Sequence, residues 1–156
     1  MCIRDRCSAI SSTKSKEIIE SRGHIVDKIE TFPIIVSDNI ESVSKTAEME
    51  KILNSLNLMQ DVTRLKSRQR RSGKARMRGR SMKVGKSTLF VVSKSEKLSQ
   101  ACGSIPGIDV KSANELSVLD LAPGGTPVRL TVYSKSALEK IEKIQSPHLE
   151  LMVSVK

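Results

Sequence analysis

The chain has 156 residues, with 27 Lys and Arg against 17 Asp and Glu, a formal net charge of +10, and no Trp. That length supports one domain with a real core and argues against two, and the core must be aliphatic because Phe32, Phe90 and Tyr133 are the whole aromatic set. No apolar run approaches the ~18 residues that a membrane helix needs, and "MCIRDRCSAI" lacks the apolar stretch of a signal peptide, so a soluble cytoplasmic protein with no membrane partner is expected.

In chain order, residues 6–22 read as one helix, with Arg22 in its last turn and a stop at Gly23. "FPIIVS" (32–37) is the first strand. Met49, Ile52, Leu53 and Leu56 then recur at helical spacing and give one apolar face. "STLFVV" (87–92) is the second strand. Ser95 follows it as the cap of a helix carrying Leu98, Ala101 and Cys102, stopped by Gly103. A weaker strand, "GIDV" (107–110), leads to a capping box at Ser112 and Glu115. "VRLTVY" (128–133) leads to another at Ser136 and Glu139, with Ala137, Leu138, Ile141 and Ile144 on one side. The strand centres are apolar at consecutive positions, as when both faces are covered. Strands alternating with helices predict a three-layer α/β/α fold with a mainly parallel sheet. The tail "HLELMVSVK" alternates Leu149, Leu151, Val153 and Val155 and reads equally as an edge strand or a poorly ordered terminus.

The segment 66–86 interrupts this rhythm as a basic loop between a helix and a strand, about 20 residues long and beyond ordinary loop length. From Val62 to Ser95 there is no acidic residue, whereas the rest of the chain is close to neutral. Eleven cations fall between 64 and 86: Arg64, Lys66, Arg68, Arg70, Arg71, Lys74, Arg76, Arg78, Arg80, Lys83 and Lys86. Arg predominates, and its planar fork matches phosphate oxygens and stacks on bases. Gly73, Gly79 and Gly85 allow close backbone approach. These residues are the candidate nucleic-acid-binding site, RNA or DNA being left open by the charge pattern itself, and the asymmetry points to a polyanionic partner. Self-repulsion predicts an extended, solvated and mobile segment until anions neutralise it.

Gly85-Lys86-Ser87 matches the end of a nucleotide-phosphate loop, but Gly79 leaves five residues rather than four before Gly85. Ser87 also opens a strand where that loop would open a helix, so no small-molecule nucleotide is expected here. His24 and His148 read as surface or capping residues, and the carboxylates as scattered over helical surfaces. No catalytic residue, metal ligand or cofactor is therefore assigned, and the chain is expected not to be an enzyme. Cys2, Cys7 and Cys102 read as reduced, incidental thiols.

The ordered pieces "SAISST", "RGH", "FPIIVSD", "SRQRRSGKARMRGR", "STLFVVS", "IPGIDV", "LAPGG" and "RLTVYSKSALEKI" resemble the universal L-four family of large-subunit ribosomal proteins, in its archaeal/eukaryotic branch. "RRSGKARMRGR" (70–80) and "LAPGG" with "RLTVYSKSAL" (121–138) carry most of the likeness. The resemblance implies an α/β domain bound to large-subunit ribosomal RNA beside neighbouring ribosomal proteins, without catalysis and without a small-molecule substrate. It also implies that Gly124 and Gly125 form a tight turn before the last strand. Members carry a further strand, helix and tunnel-directed loop before the position of Ser8. The expected layout is thus a non-family leader at 1–7 on an N-terminally truncated chain, a single RNA-binding domain at 8–145 and a tail at 146–156. A free nucleic-acid-binding regulator of a transcript or promoter is the other reading of the same charge pattern.

Overall fold

The computed structural model describes residues 3–29, 31–65, 69–83, 85–126 and 128–143. The chain runs through α1 (Ile3–Ser12), α2 (Lys16–Ser21), β1 (Ile34–Val36), a 3-10 turn (Asp38–Ser42), α3 (Thr46–Ser55) and α4 (Met59–Arg64). It continues through β2 (Gln69–Arg70), α5 (Lys74–Met77), β3 (Met82–Lys83), β4 (Leu89–Val92), α6 (Glu96–Cys102), β5 (Asp109–Ser112), α7 (Val118–Leu121), β6 (Thr131–Ser134) and α8 (Lys135–Lys143). The main sheet has the order β1-β6-β4-β5, and every pair in it is parallel.

The four consecutive apolar residues of β4 are all buried because the pleat sends them to opposite faces. Phe90 and Val92 join Val132 and Ile34 under α2, α3, α4 and α6, packing on Ile19, Met49, Leu53, Val62 and Leu98. Leu89, Val91 and Tyr133 face the other way, under Ala9 of α1, Leu121 of α7 and Ala137 of α8. The fold is therefore three-layer α/β/α, as the strand–helix alternation predicts. The second face is thinner. At the edge strand β1, Ile35 pairs in register with Tyr133 yet stays 52% exposed.

Several local expectations change. The helix foreseen at 6–22 is two helices. Thr13 leaves the helical ladder, its Oγ1 donating to the Ile10 carbonyl at 2.6 Å, and the chain turns before Lys16. Ser112 does not start a helix: it is the last residue of β5, in register with Val92. The capping box forms at Ser117 instead, where Ser117 and Asp120 exchange side-chain-to-backbone bonds. Ser136 lies inside α8. Its N–H goes to Asp38 Oδ1 at 2.9 Å, and Ser134 Oγ accepts from the Ala137 N–H. Gly124 and Gly125 do turn the chain before β6, with φ of 82° and 67°. Ile144 and the tail lie outside the described residues.

The basic segment is not simply extended. β2 and β3 pair antiparallel, Gln69 with Lys83 and Arg70 with Met82, and α5 sits at the tip of this ribbon. Glycine geometry makes this fold-back possible. Gly79 (φ 76°) ends α5 with its N–H on the Arg76 carbonyl, and the Arg80 N–H reaches the Ala75 carbonyl, a Schellman closure. Gly73 (φ 65°, ψ −152°) occupies backbone space essentially reserved for glycine. Two of the glycines thus shape the arm itself.

Candidate nucleic-acid interface

The ribbon displays its charge outward. Arg70, Arg71, Lys74, Arg76, Arg78, Arg80 and Lys83 are all exposed, and among the described residues none of them pairs with a carboxylate. Met77, between Arg76 and Arg78, is 87% exposed. Lys66 and Arg68 lie outside the described residues. The arm is thus a strip of cations whose charge no neighbouring acid offsets.

Its two feet differ. Arg64 donates from Nε to Asp61 Oδ1 at 3.0 Å, and Lys86 holds Asp109 at 2.8 Å. Leu65, the last buried residue before the arm, fills the space that side chains at Gly85 and Gly107 would need. A Cβ on Gly85 would come within 2.6 Å of Leu65, and one on Gly107 within 2.1 Å. The root is therefore packed and ion-paired, while the tip is solvated.

Beneath the root lies a polar hub. Asp61 is fully buried and accepts from the Ile25 N–H, Ser87 Oγ (2.5 Å), His24 Nδ1 (3.0 Å) and Arg64 Nε. Burial pushes its carboxyl pKa up most strongly. The His24 ring, Ser87 and Arg64 together outweigh that and hold it at about 2. Arg129, 1% exposed, donates to the carbonyls of Ser87, Thr88 and Gly107 and to Asp109. Burial lowers the Arg129 pKa, with Asp109 pulling it back up, and the same contact helps hold Asp109 below the ordinary carboxylate value.

Sequence reading placed His24 at the surface and the carboxylates on helical faces. The structure corrects both, since His24 and Asp61 are buried against each other. The signal for Asp61 was its place in an apolar stripe, between Leu58, Val62 and Leu65. Arg129 had a similar signal, a lone charge in the run leading into β6. The nucleotide-loop resemblance at Gly85-Lys86-Ser87 dissolves in the same geometry: Lys86 is held by Asp109, Ser87 is buried on Asp61, and a strand follows.

The arm and hub lie at the N-terminal ends of β4, β5 and β6. Open α/β sheets usually bind small ligands at the opposite edge, beyond the C-terminal ends of the strands. There, the Glu41 carboxylate accepts from the N–H groups of Ser93 and Lys94 and from Ser134 Oγ. These donors, which could cradle an anion, are engaged by the chain's own acid.

The model of the ribosomal protein L4/L1 family matches residues 4–144. Among curated proteins, the chain is 46% identical over 138 residues to the large ribosomal subunit protein uL4 of Sulfurisphaera tokodaii, covering 87% of this chain and 52% of that protein. It is 42% identical over 137 residues to uL4 of Methanococcus aeolicus, covering 87% and 54%, and 40% identical over 135 residues to uL4 of Methanosphaera stadtmanae, covering 86% and 52%. The chain therefore spans about half the length of these relatives. The match along nearly all of the α/β body and its basic arm places the chain in the ribosomal protein L4/L1 family.

Proposed function

We propose that the chain is a structural constituent of the large ribosomal subunit, acting in the cytoplasm on the ribosome and supporting subunit assembly and translation without catalysis. It binds large-subunit ribosomal RNA through the arm, beside neighbouring ribosomal proteins. The observation that carries the reading is the strip of exposed cations from Arg70 to Lys83, unmatched by acids and mounted on a packed root. The relatives' shared name, large ribosomal subunit protein uL4, supports the ribosomal setting.

In such binding, phosphate neutralisation dominates and sequence preference is weak. Roughly 5–8 phosphate contacts predict that log K falls by about 4–7 units per decade of salt. Arg76→Ala with Arg78→Ala is expected to flatten that slope by about 1–2 and to cost about 2–4 kcal/mol. Lys14→Ala with Lys16→Ala, on the α1–α2 side, is expected to do much less. A salt titration of binding to a large-subunit ribosomal RNA fragment checks both. A slope near zero, or equal losses in the two pairs, removes the arm as the principal surface. Release from large subunits in a high-salt wash would favour the free regulator instead.

A further inference from the structure

A cavity of about 330 Å³ opens beside the root of the arm, lined by Ser21, Arg22, His24, Arg64, Lys86 and Thr126. Its lining is unusual in charge. Among the described residues three cations meet there, contributed by the C-terminal cap of α2, the end of α4 and the residue before Ser87. Arg64 and Lys86 do have carboxylates, but each is shared: Asp61 also serves His24 and Ser87, and Asp109 also serves Arg129. Arg22 is held in place, donating to Thr126 Oγ1 at 2.5 Å and to the Pro123 carbonyl at 3.0 Å. Burial lowers the Arg22 pKa, and the positive charges of Arg129 and Arg64 lower it further. Positive potential therefore accumulates at this point.

The His24 ring supplies an independent sign of a ligand. Its side chain is 1% exposed, and Nδ1 is committed to Asp61. Its Nε2 is buried and has no hydrogen-bond partner among the described residues. A buried polar atom left unsatisfied in a native fold calls for an explanation, and a bound group is one; because Nδ1 donates to Asp61, an anion meets Nε2 only where that nitrogen also carries a proton and donates. Apart from that ring, no aromatic residue lines the cavity among the described residues. The volume lies at the low end for small-molecule sites, enough for a phosphate and part of its sugar.

We infer that this cavity is a preformed seat for one phosphodiester of the RNA backbone, held by Arg22, Arg64 and Lys86, next to the contacts of the arm. The inference rests on the RNA-binding reading proposed above but locates a contact on the globular body, where the charge pattern of the sequence marks nothing at Arg22, His24 or Thr126. A fixed seat and a solvated arm divide the work: the seat sets register and the arm adds affinity.

The test has two arms. Inorganic phosphate is titrated into the full chain while NMR follows the His24 ring protons and the Nε–H signals of Arg22 and Arg64. Saturable shifts are expected, and they should survive Arg76→Ala with Arg78→Ala but vanish in Arg22→Gln. RNA binding is then measured across salt for the same variants. Arg22→Gln is expected to lower affinity about 10-fold and to flatten the slope by about one, additively with the arm pair. Lys86→Gln, a change at a half-exposed side chain, carries the same test if Arg22→Gln does not fold. Lack of a saturable shift overturns the seat. Saturable phosphate binding with unchanged RNA affinity in Arg22→Gln overturns its assignment to RNA and leaves a free-anion site. Loss in the arm pair alone keeps the arm and removes the seat, whereas loss in Arg22→Gln alone keeps the seat and removes the arm.

Discussion

Arg129→Met is expected to lower the stability of the chain by about 3–5 kcal/mol, the usual cost of breaking a buried ion pair from one side. Methionine fills much of the same space, so the loss comes from polar groups rather than from a void. The Ser87 carbonyl loses the 2.7 Å bond from Nε, Asp109 loses its buried partner, and the carbonyls of Thr88 and Gly107 each lose one donor. Those two carbonyls keep backbone partners in the N–H groups of Asp109 and Ser87, which limits the loss. For a chain of this size the change corresponds to about a 10 °C fall in melting temperature. Arg129→Lys is expected to recover little, since an ammonium cannot span three strand ends as the fork does. Thermal unfolding by circular dichroism measures both. A fall below about 1 kcal/mol would mean that the bonds across β4, β5 and β6 are replaceable by water.

Asp61→Asn is expected to cost about 2–4 kcal/mol at neutral pH and, more tellingly, to remove a pH dependence. The wild-type carboxyl titrates at about 2 in the folded chain against an ordinary 3.8. Its pKa is depressed, so its contribution is fully present above the unfolded value and is lost as pH falls through about 2. The size of that contribution is about 2–3 kcal/mol. His24, Arg64 and Ser87 face the same carboxyl, and Asp109 is also depressed and acts in the same direction. The useful quantity is therefore the difference between wild type and Asp61→Asn in urea denaturation. That difference should shrink steadily as pH falls from about 4 toward 2. A difference independent of pH across this window would show that Asp61 is not ionised in the folded state.

β4 and β6 were legible because burial on both faces leaves continuous apolar runs, as in Leu89–Val92; β1 shows such a run although Ile35 is exposed, and the half-buried β5 gave only a weak signal. The choice between rival caps was not legible. Ser112 with Glu115 and Ser117 with Asp120 carry the same local signature, and pairing of Ser112 opposite Val92 decides between them. The cations of the arm could be read from charge alone. Its ribbon could not, since Arg and Lys show no alternation, and the fold-back depends on the backbone angles of Gly73 and Gly79. The hub was partly visible, because Asp61 sits among leucines and valines. Its partners His24 and Ser87 lie 37 and 26 residues away in sequence, and only the tertiary fold brings them to it.

The strand order also sets a timetable. Among the described residues β6 is the last strand of the main sheet; it lies between β1 and β4 and pairs with both, so β1 gains this neighbour only once nearly all of the stretch has been made. Closing a loop of almost a hundred residues is entropically costly before its contacts return anything, and such long-range parallel pairing is slow. During that interval the β4–β5 pair can form alone, while Ile34 still lacks Val132, its partner in register. The arm, which precedes β4, has already emerged. A polyanion that engages it early would find a chain still short of its central strand, and folding and capture of that polyanion would then proceed as one coupled process rather than in succession.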